Sequence, residues 1–257
     1  MIGVFDSGVG GLSVLREMRK ALPQSDFLYF GDTANVPYGG RKDEHVRQLS
    51  EAAVQRLLKF NPDLVVVACN TATSIAINQL RLDHTKLPIV GVVPVLKTAA
   101  EQTKTNKIAV LATVATLTSR TYADLKEQFA RDVEVLELAL PEWVLLVERG
   151  ILDGPEVQQS VQQAAERIRS SGADIVTLGC THFPFLRPTI VAAMPGIEVL
   201  DSGPAVARQV VRVLTANQKP PDQSKAGSVT YLCSGDPAAF SQVATRLLGE
   251  TVSARKA

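Results

Sequence analysis

Two apolar runs of this chain each end in a cysteine. Leu64 to Ala68 leads into Cys69-Asn70-Thr71-Ala72-Thr73, and Ile175 to Leu178 leads through Gly179 into Cys180-Thr181-His182-Phe183-Pro184. Both cysteines are followed by small hydroxyl or amide residues and then by a segment able to start a helix. Each thiol is therefore expected at the carboxyl end of a strand beside helix-terminal N–H groups, where a thiolate forms most readily. A single cysteine in such a place is usually a small buried hydrophobe. Two in matching contexts point instead to a paired site in which the sulfurs face one another across a substrate. Cys233 has only Ser234 as a polar neighbour and reads as structural.

Further groups fall near these strand ends. His182, two positions after Cys180, can hold or relay a proton. Asp6 and Asp32 lie at the ends of the first two expected strands, on the side where open α/β sheets bind ligands. Glu148, in Val144-Leu145-Leu146-Val147-Glu148-Arg149, reads by periodicity as an exposed helix charge, and Lys42, Asp43 and Glu44 as a solvated helix start. The loop Asp6-Ser7-Gly8-Val9-Gly10-Gly11-Leu12-Ser13 leaves three readings open. A dinucleotide fingerprint is weak, because Ser13 stands at the third glycine position. A tight turn needing positive φ is the plain alternative. The third is a cradle in which Asp6, Ser7 and free N–H groups hold a small carboxylate or ammonium at a helix N-terminus.

The elements that must position these groups alternate strand and helix from end to end, which predicts an α/β protein with mainly parallel sheets. Strands are expected at Ile2–Phe5, Phe27–Phe30, Leu64–Ala68, Ile89–Val93, Lys107–Ala112, Val133–Leu138, Ile175–Leu178, Val199–Leu200 and Val229–Cys233. Leu12, Leu15, Met18 and Leu22 mark one helix face, and Val46, Leu49, Ala53 and Leu57 another. Thr113 to Thr118 reads as a loop before a helix carrying Tyr122, Leu125 and Phe129. A polar linker is expected from Gln218 to Gly227. Asp201-Ser202-Gly203 echoes Asp6-Ser7-Gly8, and the spacing of the two cysteine segments fits one α/β unit, so a weak internal duplication is expected. The result is two pseudo-symmetric domains with the site in the cleft between them: 1–93 plus 204–257, and 94–203, with two crossings forming a hinge.

A length of 257 residues and an apolar fraction of 46% suit a globular protein with an ample core. With 27 basic and 26 acidic residues and no basic run, neither nucleic acid nor an anionic membrane is an expected partner. No signal peptide or transmembrane segment is seen. Three cysteines without a C-x-x-C pair point to a reducing, cytoplasmic setting, and three histidines without ligand spacing predict no metal.

The four motifs Phe5-to-Ser13, Gly31-Asp32-Thr33-Ala34-Asn35-Val36-Pro37-Tyr38-Gly39, Ala68-to-Thr73 and Leu178-to-Pro184 together resemble the glutamate racemases across nearly the whole chain. The resemblance implies a cofactor-independent racemase of two α/β domains that supplies D-glutamate for peptidoglycan. It makes Cys69 and Cys180 the acid/base pair, Cys69 taking the α-proton from D-glutamate and Cys180 from L-glutamate. Asp6, Asp32, Glu148 and His182 match assisting positions, which revises the periodicity reading of Glu148. Asp6, Ser7, Tyr38, Gly39, Asn70, Thr71, Thr181 and His182 match substrate-binding positions, with Thr73, Thr113 and Thr116 as further candidates for the side-chain carboxylate. Two departures stand out: Ala139-Leu140-Pro141 where many relatives have Cys-Pro, and Val93 where some carry Glu. The chain begins almost at its first strand, so control by a peptidoglycan precursor is not expected. Many members form homodimers, and no face of this sequence marks itself as the interface.

Racemisation removes a proton from one face of Cα and returns one to the other, so two groups must flank the carbon and exchange roles. Sulfurs about 3–3.5 Å from Cα would lie about 6–7 Å apart, too far for a disulfide. Without a pyridoxal-type electron sink in the sequence, Thr and Asn donors and exclusion of water must stabilise the carbanion. The alternatives are an aspartate or broad-specificity racemase, a Cys180–His182 hydrolase or amidase, and an amino-acid-binding protein without catalysis.

Overall fold

The computed structural model describes residues 1–218 and 226–257, so most of the expected polar linker lies outside the described residues. The chain begins with β1 (Ile2–Asp6), α1 (Leu12–Ala21), β2 (Phe27–Gly31), α2 (Asp43–Leu58), β3 (Leu64–Val67), α3 (Asn70–Asp83), β4 (Ile89–Gly91) and α4 (Leu96–Gln102). It continues through β5 (Lys107–Ala112), α5 (Val114–Leu117), α6 (Arg120–Phe129), β6 (Glu134–Ala139), α7 (Pro141–Glu148) and α8 (Pro155–Ser171). Next come β7 (Ile175–Leu178), a 3-10 turn at Phe183–Leu186, α9 (Arg187–Ala193) and β8 (Glu198–Asp201). Last are α10 (Gly203–Ala216), β9 (Val229–Cys233), α11 (Pro237–Leu248) and β10 (Ala254–Lys256).

Two sheets result, ordered β10-β9-β2-β1-β3-β4 and β6-β5-β7-β8. Every pairing among the described residues is parallel. The order β2-β1-β3-β4 repeats as β6-β5-β7-β8, so the expected duplication is present as topology. In each sheet the order reverses once, between β1 and β3 and between β5 and β7. Ligand crevices of parallel sheets open beyond the carboxyl ends of strands at such reversals. Cys69 follows β3 and Cys180 follows β7, so the two thiols occupy equivalent places. The backbone agrees: Ala68 N donates to Phe5 O at 2.7 Å, and Gly179 N donates to Leu111 O at 2.7 Å. The echo at Asp201 is also physical. Asp6 Oδ1 accepts from Gly8 N at 2.8 Å and Asp201 Oδ1 from Gly203 N at 2.9 Å, the same carboxylate turn at two strand ends.

Strands buried on both faces explain the near-continuous apolar runs. Val4, Tyr29 and Val66 of the larger sheet and Ala109, Leu111 and Val176 of the smaller one enter a single core with Leu12, Trp143, Phe183 and Val210. The far face of the larger sheet packs Phe5, Phe30 and Val67 under α2 and α3. The far face of the smaller sheet packs Ile108, Val110 and Ile175 with Leu96 and Tyr122. Thr113 to Thr118, expected as a loop, instead contains α5, capped by the Thr113 hydroxyl accepting from Thr116 N. α4, α9, β10 and the 3-10 turn are too short for periodicity to expose, and Ala254-Arg255-Lys256 has no apolar run at all.

The segment around Glu148 is fixed by α7. Pro141 at its first position is preset for a helix start and needs no N–H partner. Trp143 is fully buried, meets Phe183 edge-on at 5.0 Å and donates from Nε1 to Ser160 Oγ at 2.8 Å. That contact docks α7 on the turn that follows His182. Trp143→Ala is expected to destabilise the protein by about 3–5 kcal/mol, as large aromatic deletions do. Urea unfolding would show it, and an unchanged midpoint would contradict this role for the ring.

Candidate active site

Cys69 is the N-cap of α3. Its sulfur accepts from Ala72 N at 3.4 Å, and its thiol donates to Ser7 Oγ at 3.5 Å. The helix terminus expected to ionise this cysteine is therefore present. It is outweighed: burial first, then the nearby Asp6 carboxylate, push the Cys69 thiol up to about 12 against the help of Ala72 and Ser7. In this state Cys69 is held as a thiol, even with the N-terminus of α3 beside it. All three cysteines are free, and Cys233 is buried at a strand end as expected of a structural residue.

Cys180 has different company. It stands at the end of β7 before a 3-10 turn rather than an α-helix, and its sulfur lies 3.6 Å from His182 Nδ1. His182 Nε2 lies 2.6 Å from Glu148 Oε1, and both side chains are largely buried. Burial alone would lower the histidine's pKa. The bonds to Cys180 and to Glu148 outweigh it and hold the imidazole well above the ordinary histidine value. A charged His182 sits between two groups that welcome it, and the sulfur of Cys180 has a cationic neighbour, which Cys69 lacks among the described residues. Glu148 is thus a buried partner of the site, not the exposed charge that periodicity suggests.

The glycine loop is what these groups pack against. Glu148 Oε1 also accepts from Val9 N at 2.9 Å, while Asp6 takes Gly8 N. A Cβ on Gly8 would overlap the Glu148 carboxylate, and one on Gly10 would overlap the His182 ring. Among the described residues the glycines with positive φ are Gly150, Gly154, Gly172, Gly196 and Gly249, all outside this loop. The turn reading therefore gives way to a steric one, in which glycine leaves room for side chains arriving from α7 and the Cys180 loop. With Gly8 and Val9 N–H groups already occupied by carboxylates, the anion-cradle reading of those groups is corrected too.

Asp6 is fully buried, and desolvation raises its pKa despite the opposing pull of His182. Its second oxygen accepts from Thr181 Oγ1 at 3.2 Å, joining the strand end before the glycine loop to the residue after Cys180. Thr71 Oγ1 lies 2.9 Å from Thr113 Oγ1, which lies 3.0 Å from Thr116 Oγ1. Gly39 packs directly on Thr113. Asn70 is buried and its Nδ2 has no partner among the described residues, an amide donor left over at the start of α3.

Two expected site residues are otherwise engaged. Thr73 donates to Val67 O at 3.1 Å and accepts from Val92 N at 3.2 Å, so its hydroxyl ties β3 to the exit of β4. Asp32 accepts from Tyr38 at 2.7 Å, from Asn35 Nδ2 at 3.1 Å on each oxygen, and from Ser234 at 2.5 Å. It holds Tyr38 in place. Residues not anticipated include Ser13, whose hydroxyl lies 2.7 Å from Thr181 O, and Tyr29, which donates to Gly8 O at 2.8 Å. Their signal was available only in the sense that Ser13 broke the dinucleotide pattern. Among the described residues no group of three His, Cys, Asp or Glu is arranged to hold a metal ion, and no helix is long and apolar enough to cross a membrane.

Comparison with known proteins follows the same lines. The glutamate racemase of Herpetosiphon aurantiacus is 44% identical over 243 residues, which is 94% of this chain and 95% of that protein. A crystal structure of glutamate racemase from Thermus thermophilus in complex with beta-chloro-D-alanine is 38% identical, with a TM-score of 0.85 over 100% of this chain and 96% of that one. A glutamate racemase isoform from Bacillus anthracis is 31% identical, with a TM-score of 0.91 over 100% and 97%. A family model described as Asp/Glu/hydantoin racemase matches residues 2–210. The chain belongs to the Asp/Glu/hydantoin racemase family.

Proposed function

We propose that this protein interconverts L- and D-glutamate by a two-base mechanism, and that it supplies D-glutamate for peptidoglycan in the cytoplasm. The observation that carries the reading is the pair of unbridged, buried cysteines at equivalent strand ends of two topologically matching sheets. The glutamate racemases related over most of the chain support the choice of substrate.

In the L-to-D direction Cys180, with His182 beside it, takes the α-proton, and the Cys69 thiol delivers one to the opposite face. The reverse reaction exchanges the roles, with Cys69 abstracting from D-glutamate. A Cys69 thiol pushed up to about 12, opposite a Cys180 that has the charged His182 beside it, is the arrangement that receives L-glutamate. Charge developing on the α-carboxylate needs donors fixed in advance, and Asn70, Thr71, Ser7 and Thr181 are the groups at hand. Asn70 Nδ2 gains there the partner it lacks among the described residues. Thr113 and Thr116 are assigned to the side-chain carboxylate, with Tyr38 and Gly39 closing the wall beside them.

Residues 1–93 with 204–257 form one body in this reading and 94–203 the other. The crossings at Val93 and Ser202 are tied by Ser202 Oγ donating to Val93 O at 2.6 Å, which suits a shared hinge. Opening there admits substrate to thiols that are each 5% exposed. Assembly as a homodimer belongs to the same reading.

The Cys180–His182–Glu148 chain also has the layout of a nucleophile, a base and an orienting carboxylate. An amidase would release ammonia from a glutamine analogue through a thioester on Cys180; the racemase reading predicts no such release.

Cys69→Ser and Cys180→Ser are each expected to lower kcat/KM for glutamate by about 10²–10⁴-fold, the usual worth of a positioned acid or base. Circular dichroism of L- and D-glutamate solutions follows the reaction, and full racemisation by either variant sinks the two-thiol mechanism. The unlike surroundings of the two sulfurs give a second outcome. At a pH of about 8, a thiol of pKa about 12 is ionised to roughly one part in 10⁴. Iodoacetamide is therefore expected to label Cys180 before Cys69, read by peptide mass spectrometry, and preferential labelling of Cys69 contradicts the assignment.

A further inference from the structure

We infer that Ser234, on the turn after β9, is a positioning residue for this reaction, acting through Asp32 and Tyr38 on the wall of the site next to Cys69. The inference rests on the racemase reading above and adds to it a residue far along the chain from every motif that carries the resemblance.

The hydroxyl of Ser234 donates to Asp32 Oδ1 at 2.5 Å and accepts from Ala34 N at 3.0 Å, while its own N–H donates to Gly31 O at 3.1 Å. Gly235 N adds a bond to Thr33 Oγ1 at 3.1 Å, and a Cβ on Gly235 would overlap that hydroxyl. The turn thus clasps the end of β2 and the residues after it, from Gly31 to Ala34. Lys256 secures it from behind, with Nζ donating to Ser234 O at 2.5 Å and Gly235 O at 2.7 Å.

What the clasp delivers is the orientation of Asp32. With Oδ1 held by Ser234, Oδ2 faces the Tyr38 phenol at 2.7 Å. Tyr38 is buried, shares one apolar cluster with Cys69 and lies tilted beside Phe5 with ring centres 6.2 Å apart. The next residue, Gly39, lies where an added Cβ would press on Thr113, whose hydroxyl meets that of Thr71 in α3. A serine on the turn after β9 therefore holds a tyrosine in the apolar cluster that contains Cys69 and, next to it, a glycine against one of the threonines assigned to the substrate. Without the Ser234 donor, the Asp32 carboxylate keeps only the longer bonds from Asn35 Nδ2, 3.1 Å to each oxygen, and Tyr38 has a less firmly fixed acceptor. Such looseness weakens substrate capture more than the proton transfers, because neither sulfur is bonded to Tyr38.

The test is steady-state racemisation in both directions for Ser234→Ala, the nearly isosteric Ser234→Cys with its weak S–H donor, Tyr38→Phe, and Ser234→Ala combined with Tyr38→Phe. For Ser234→Ala, kcat/KM is expected to fall about tenfold, the scale of one hydrogen bond to a buried charge, mainly through a raised KM. Ser234→Cys is expected to fall between this variant and the unsubstituted protein. Because Ser234 acts through Tyr38, the double variant is expected to be within about twofold of the worse single one. Additive losses in the double variant, or unaltered kinetics of both Ser234 variants in a protein that itself racemises glutamate, overturn the inference alone. Should Ser234→Ala not fold, Ser234→Cys in combination with Tyr38→Phe gives the same comparison. If the unsubstituted protein leaves glutamate unracemised, the reading beneath the inference fails with it.

Discussion

A buried thiolate is expensive unless a cation or several donors meet it, and a protein that needs one thiolate and one thiol on either side of a carbon must supply unlike surroundings to like residues. The two cysteines here end equivalent strands of matching sheets, yet only Cys180 has a histidine within reach. Cys69 instead faces Ser7 and the fully buried Asp6. The topology makes the halves alike and the loops make them different. Glu148 enforces the difference by anchoring His182 on one side and the Val9 N–H on the other.

That anchor explains the glycine loop and much of the contact between the two sheets. Gly8 and Gly10 are the surface on which the Glu148 carboxylate and the His182 ring rest. Asp6 to Thr181, Thr71 to Thr113, and Ser13 to the Thr181 carbonyl are further bonds, joining β1, α3 and α1 to the segments that follow β7 and β5. Each is a hydroxyl bond of modest strength, about 1 kcal/mol net apiece. A set of such bonds can be broken and remade one at a time, which suits a site that must open for its substrate and then exclude water.

The α/β class and the nine long-range strands that the runs marked were legible because strands buried on both faces carry continuous apolar sequence. The site was legible where the chemistry needs rare residues in one place, as with Cys69-Asn70-Thr71 and Cys180-Thr181-His182. Glu148 shows where pattern reading stops. A carboxylate at the end of an apolar helix looks solvated until the loop from β1, far away in sequence, arrives to meet it. The glycines misled in a related way, since sequence shows a missing side chain but not whether backbone geometry or a neighbour requires its absence. Thr73 looked like a ligand group and holds two strands together. Ser234 lay outside every motif because its partner Asp32 belongs to a distant segment. The protonation of Cys69 was hidden for the same reason: burial and Asp6, not the helix terminus beside it, decide the balance.

The most direct measurement of the two-thiol account is the isotopic fate of the α-hydrogen when L-glutamate is converted in D2O to a few per cent. If Cys180 removes the proton and a separate Cys69 thiol, equilibrated with solvent, returns one from the opposite face, deuterium appears in the D-glutamate formed while the remaining L-glutamate stays protiated. Equal early labelling of recovered substrate and product, or product formed with its original hydrogen, would mean that one base serves both faces and would contradict the account.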